Sequence, residues 1–321
     1  MDLQRPFRIE FEISSLCNAL CSGCQRTMLD NEKKYYYKGN ITIEQMYDWF
    51  DDVNLKDARI KLCGVLGDPI INPDCVDICS YLLLEKRVKS IELSTNGGTR
   101  SKKFWTELGE LSKYTNKRLY VHWSIDGVMK NDYRENVSID KVWDNFYTYY
   151  NAGGKCIWQY IHFDYNADEI PIAKEKAKQL GIELKIRVSW RNTAKAAKFK
   201  SSEALKIDSN VYETVEKRAR EGKYDAANII CRHQVENELF ITSEGRVWPC
   251  CHLHDEQVSD KTDILTKVGL DNDLKKTKLY DIIQSDWYEK TLIDSWEKSH
   301  SLHLPRCYLS CGDYAKRKVI K

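Results

Sequence analysis

Cys17, Cys21 and Cys24 stand in the arrangement C-x3-C-x2-C, just past a short apolar stretch at residues 7–13. An odd set of thiols at this spacing points to a metal site rather than a disulfide framework. Thiolates are soft ligands, suited to iron–sulfur clusters or zinc. A cubane cluster has four irons, so three cysteines leave one iron without a protein ligand and open to an exogenous molecule. The competing reading is a zinc knuckle with its fourth ligand elsewhere.

The elements that must carry this loop alternate along the chain. Strands are expected at 7–13, 59–63, 88–94, 119–125, 156–163 and 183–188. Helices are expected at 42–53, where Thr42 and Gln45 have capping-box spacing, and at 72–87, with Pro73 in the first turn. Further helices are expected at 101–113, at 139–150 ended by Gly153-Gly154, at 168–180 stopped by Gly181, and at 209–220. Six βα units in series predict parallel strands with right-handed crossovers. Six are too few for a closed eight-stranded barrel, so the expected fold is α/β, a partial (β/α)6 TIM barrel open on one side. Sites in such folds gather at the C-terminal ends of strands.

The carboxy-terminal third changes character. Residues 238–250 read as a hairpin with a Glu244-Gly245 turn; Cys231 precedes it, Cys250 and Cys251 end it, and Cys307-x3-Cys311 follows. The expected division is a barrel over 1–200, a linking helix over 201–230 and a small hairpin-plus-helix iron–sulfur domain over 231–321. A formal charge of +2 gives no basic field that would argue for nucleic acid, and the run Lys195, Lys198, Lys200 reads as a solvated helix face. No signal peptide and no apolar run of membrane-spanning length is visible, so the twelve cysteines read as reduced, cytoplasmic and largely metal-binding.

The cysteine spacing resembles the radical S-adenosylmethionine (radical SAM) superfamily, over roughly residues 6–190. The resemblance implies that Cys17, Cys21 and Cys24 hold a [4Fe–4S] cluster whose open iron chelates SAM, and that one electron releases a 5′-deoxyadenosyl radical. It departs from the family at Gly23, where an aromatic residue is usual. Gly64-Val65-Leu66-Gly67-Asp68-Pro69 looks like the family's GGEP segment, with Leu66 for its first glycine and Asp68 for glutamate. By that resemblance Gly67 and Asp68 face the SAM amine. Ser94 and Asn96 of Ser94-Thr95-Asn96-Gly97, Ser124 and Asp126 of Ser124-Ile125-Asp126-Gly127, and Gln159 are the further cofactor-binding residues it implies.

The second cysteine set resembles the twitch subdomain, the shortened relative of SPASM. This implies one auxiliary [4Fe–4S] cluster on Cys231, Cys250, Cys307 and Cys311. Cys251 is left as a swap candidate or a buried thiol, and His233, His252, His254 and His303 keep a zinc site open. Cys75 and Cys79, one helical turn apart, and Cys156 read as core packing. Cys63 ends a strand on the expected active-site side, where its thiol is a candidate hydrogen donor to a substrate radical, with core packing as the other reading. The resemblance implies a radical enzyme that abstracts a substrate hydrogen, on a peptide or protein, with a flavodoxin- or ferredoxin-type electron donor. The alternatives are a small-molecule radical dehydrogenase acting on an alcohol or sugar and, from another class, a non-catalytic iron–sulfur or zinc module.

Overall fold

The computed structural model describes residues 7–188, 198–202, 209–268 and 271–312. Six strands, β1 (Arg8–Phe11), β2 (Arg59–Leu62), β3 (Ser90–Thr95), β4 (Leu119–Ser124), β5 (Lys155–His162) and β6 (Glu183–Val188), pair in sequence order, each parallel to the last. A parallel sheet covered on both faces reads as an unbroken apolar run. These strands alternate instead. Ile9, Phe11, Ile60, Leu62, Ile91 and Leu93 are buried in the main core, while Arg8, Glu10, Lys61 and Glu92 occupy the intervening positions. The apolar face is packed by helices and the charged face lines the interior of an open barrel.

The helices on the packed face are α2 (Ile43–Phe50), α3 (Cys75–Ser80), α4 (Lys102–Tyr114), α5 (Ile139–Asn151) and α6 (Ile170–Leu180). Trp105 of α4 meets Trp123 of β4 at 4.7 Å between ring centroids, and Trp143 of α5 meets Trp158 of β5 at 5.0 Å. Each such burial is worth roughly 2–3 kcal/mol. The expected capping box at Thr42 and Gln45 is formed, and Gly181 ends α6 in the left-handed region at φ +64°.

Two elements differ from the sequence reading. The helix expected at 72–87 begins as α3 at Cys75 and widens into a π-type turn over Tyr81–Glu85. Asn72 does not open it: its side-chain amide bridges the carbonyls of Ile13 and Ile41, both at 2.8 Å. A further helix, α1 (Gln25–Asn31), follows the cysteine loop directly.

The hairpin forms as β7 (Glu238–Ile241) and β8 (Val247–Trp248), with Gly245 at φ +91° in the turn. It is not a separate layer. β7 pairs in parallel with β1, giving one eight-stranded sheet in the order β6-β5-β4-β3-β2-β1-β7-β8. Of the basic run, Lys195 lies outside the described residues; Lys198 pairs with Glu135 at 2.6 Å. Among the described residues no helix is long and apolar enough to cross a membrane.

Candidate active site and auxiliary cysteine centre

The cysteine loop leaves the C-terminal end of β1 and closes on α1. Cys24 caps that helix, its N–H bonded to the Cys21 carbonyl at 3.0 Å, and buried Arg26 donates to the Ala19 carbonyl. Cys21, Ala19, Tyr133 and Phe163 form one buried cluster, with Cys17, Cys24, Tyr165 and Phe199 packed on it. The rings of Tyr133 and Phe163 lie 4.6 Å apart in this cluster. Burial, reinforced by the Asp68 charge, pushes the Cys17 thiol up to about 12, and burial also raises Cys21. Such thiols are held as ligands only when a bound cation offsets that cost, and a coordinating thiol is then deprotonated outright. Three soft donors on one loop, packed in one cluster, suit an iron–sulfur cluster with one open iron.

Strand ends β2 and β3 are tied to this loop by one carboxylate. Asp68 accepts from Asn96 N at 2.8 Å, Asn96 Nδ2 at 2.7 Å, Thr95 Oγ1 at 3.1 Å and Ile70 N at 3.2 Å. Asn96 Nδ2 also lies 3.0 Å from Asn18 Oδ1 and 3.6 Å from Cys17 Sγ. The Asp68 carboxylate is therefore spent inside the chain, and its work is to aim Asn96 and the turn that follows Gly67. Asp126 is similarly occupied: it is fully buried, pairs with Arg134 Nε at 2.9 Å and accepts from Ile161 N at 2.9 Å. Burial raises both carboxyls.

The backbone of the Gly64–Gly67 turn is held by Glu12, a residue that sequence reasoning missed. Its buried carboxylate accepts from Leu66 N at 2.7 Å and Gly67 N at 3.3 Å, and burial pushes it up to about 7. A Cβ at position 64 would collide with Glu12 Oε1, so glycine there makes room for this clamp. Glu12's place one position beyond β1, on the face of Glu10, was the available signal.

Below the strand ends the barrel interior is polar. Cys63 Sγ donates to Glu10 Oε1 at 2.8 Å, and Lys61 Nζ donates to the same oxygen at 2.7 Å. Burial and the Glu10 charge hold the Cys63 thiol well above its ordinary value. Ser94 and His122 are register partners, as are Ser124 and Gln159. Gln159 Nε2 lies 2.6 Å from His122 Nδ1, and Glu92 lies 3.3 Å from the same nitrogen. Burial depresses His122 to about 4, so its ring is neutral near pH 7. His122 and Glu92 were also missed.

The second cysteine set converges. Cys231, Cys250, Cys307 and Cys311 line one cavity with Pro249, His252 and Arg306. Burial pushes Cys250 up to about 12 and Cys231 up to about 11, each raised further by the thiolate charge of others in the set. Four thiols that repel one another when ionised are a donor set for a cationic cluster. Cys251 does not line this cavity; the charges that act on it include Glu10 and Lys61, on the barrel side. Of the four histidines, His233 bonds the Glu238 carbonyl, His254 packs on Phe240 and Trp248, and His303 meets Tyr224. Among the described residues no three His, Cys, Asp or Glu side chains close on a single-ion site. Cys75, Cys79 and Cys156 are buried in the core.

Residues 231–312 match the model of SPASM, an iron–sulfur cluster-binding domain. These bounds start at Cys231 and end just past Cys311. No curated protein matches the chain in sequence. Among solved structures, anSMEcpe with bound AdoMet aligns at 14% identity and TM-score 0.57, over 98% of this chain and 94% of that one. anSMEcpe with AdoMet and the Cp18Cys peptide aligns at 14% identity and TM-score 0.56, over 92% and 85%. Streptococcus suis SuiB bound to S-adenosylmethionine aligns at 14% identity and TM-score 0.52, over 93% of this chain and 67% of that one. The chain has the fold of the radical SAM enzymes and carries, over residues 231–312, a SPASM iron–sulfur cluster-binding domain.

Proposed function

We propose that the protein is a radical SAM enzyme that modifies a peptide or protein. The observation that carries this reading is the junction of the three-cysteine loop with the Asp68–Asn96 network at the C-terminal ends of β1, β2 and β3. Cys17, Cys21 and Cys24 would hold a [4Fe–4S] cluster, and Cys231, Cys250, Cys307 and Cys311 an auxiliary one. Bound there, the first cluster and SAM supply, on one-electron reduction, a 5′-deoxyadenosyl radical that abstracts a substrate hydrogen.

The chain's own contribution is positioning and exclusion of water. The Gly67 backbone, steadied by Glu12, and Ser94, Asn96, Ser124 and Gln159 are the groups to orient SAM, with Asp68 and Asp126 as positioning residues. Tyr133 and Phe163 shield the loop from solvent. Cys63 stands in the interior as the hydrogen donor: its S–H breaks, a substrate C–H forms, and a thiyl radical is left. An electron from a flavodoxin- or ferredoxin-type donor and a proton from solvent restore the thiol. Peptide chemistry is supported by two similarly folded proteins, SuiB bound to its precursor peptide SuiA and anSMEcpe bound to the Cp18Cys peptide. Twelve free cysteines accord with a reducing cytoplasm.

Electron paramagnetic resonance of the reduced, reconstituted protein tests the SAM site. SAM should shift the signal of the wild type and of Cys307→Ala, and leave no shifted signal in Cys17→Ala. A wild-type signal that ignores SAM would reject the reading.

A further inference from the structure

The sheet's interior face is built in rows, because register partners share a face. One row reads Glu10, Lys61, Glu92, Tyr120, with signs that alternate where they are charged. The row below it, at the N-terminal ends of the strands, reads Glu238, Arg8, Arg59, Ser90. Arg8 and Arg59 are direct cross-strand partners of like charge, an arrangement that destabilises a sheet unless something compensates it.

No carboxylate of the row is bonded to either arginine, although the charge of Arg8 acts on both Glu10 and Glu238 and Arg59 is exposed to solvent. Glu238 is taken by Arg232 at 3.4 Å, and Glu10 by Lys61 and Cys63. Among the described residues Arg8 and Arg59 have neither an ion pair nor a side-chain hydrogen bond. Both line a cavity of about 430 Å³ with Lys61, Glu92, Tyr120 and Glu236. Of the other charged groups there, Lys61 is matched with Glu10 and Glu236 with Arg232, while Glu92 lies beside the neutral ring of His122 and is unmatched. Against the arginine pair the cavity sets one unmatched carboxylate, Glu92, so a positive charge is left in excess.

We propose that Arg8 and Arg59 form an oxyanion subsite on the barrel floor, which anchors a carboxylate or phosphate of the substrate. Guanidinium groups present planar forks that match either anion bidentately. The subsite rests on the reading of the barrel interior as the substrate chamber. It also sets a length. Glu12, at the level of the strand-end turn, lies four residues along the chain from Arg8, or ~13 Å at strand rise. An extended peptide covers that span in about four residues.

Calorimetry on the reconstituted holoenzyme with SAM present tests this with four probes: acetyl-tetraalanine with a free carboxylate, its carboxamide, glutarate and inorganic phosphate. The free acid should bind at least about tenfold more tightly than the amide, as befits a charged hydrogen-bonded pair. Arg8→Gln and Arg59→Gln should each erase that difference, Arg59→Lys should keep part of it, and Lys103→Gln, exposed on α4, should change nothing. Iron content and SAM binding equal to wild type will show that each variant is folded. Arginine-dependent binding of glutarate or phosphate without binding of either peptide would keep the subsite and reject the peptide reading; the tighter of the two anions identifies the substrate's group. Equal affinity for acid and amide, with no anion probe sensitive to either arginine, would overturn the subsite.

Discussion

At the scale of single residues, the site is organised by groups that face inward rather than toward a ligand. Asp68 accepts hydrogen bonds from Ile70, Thr95 and Asn96. Asp68→Ala leaves those buried donors unpaired, and should cost about 3 kcal/mol in chemical denaturation. SAM affinity should fall with it, because Asn96 is no longer aimed. Asp68→Asn, which keeps an acceptor oxygen, should lose less of both. Cys63 makes a different prediction. Its thiol is kept protonated by burial and by Glu10, so Cys63→Ala should leave SAM cleavage intact but remove solvent hydrogen from the product. Mass spectrometry of product formed in deuterium oxide reads this directly; unchanged label in the variant would contradict the donor role. Cys63 was legible in the sequence because it ends a strand. Glu10, which orients it, was not, since a glutamate inside a short strand reads first as solvent-facing.

At the scale of elements, β1 and the turn after β2 behave as one unit because Glu12 joins them. Its carboxyl is raised from 4.5 to about 7 by burial. Between those values the native chain holds a proton that the unfolded chain has released, so stability should fall as pH rises through the window and level off above it. The span corresponds to on the order of 3 kcal/mol. Glu12→Gln should flatten that slope, as measured by urea denaturation on either side of the window. Most strands and helices were readable from alternation and capping residues: the box at Thr42, the stop at Gly181 and the Gly245 turn all sit where the sequence puts them. The start of α3 was not, because Asp68-Pro69 opens an earlier turn and Asn72 is diverted to two carbonyls. Helix α1 is short and capped by a cysteine, which offers no sequence cue.

At the scale of the whole molecule, the two cysteine sets belong to one continuous sheet. The first loop leaves the C-terminal end of β1, while Cys231 and Cys250 flank the opposite end of the β7–β8 hairpin, with the charged interior between. The sequence announces both cysteine sets and the hairpin. The parallel pairing of β7 with β1 is a contact between residues far apart in the chain, which no local pattern encodes. Cys307→Ala should therefore cost one cluster and leave the other, with about four irons per chain and an intact SAM site. The most direct test is anaerobic: the protein is reconstituted with iron and sulfide, supplied with SAM and dithionite, and assayed for 5′-deoxyadenosine and for iron. About eight irons per chain with nucleoside formed, and no nucleoside from Cys17→Ala, is the predicted result. A fully loaded protein that does not bind SAM would contradict it.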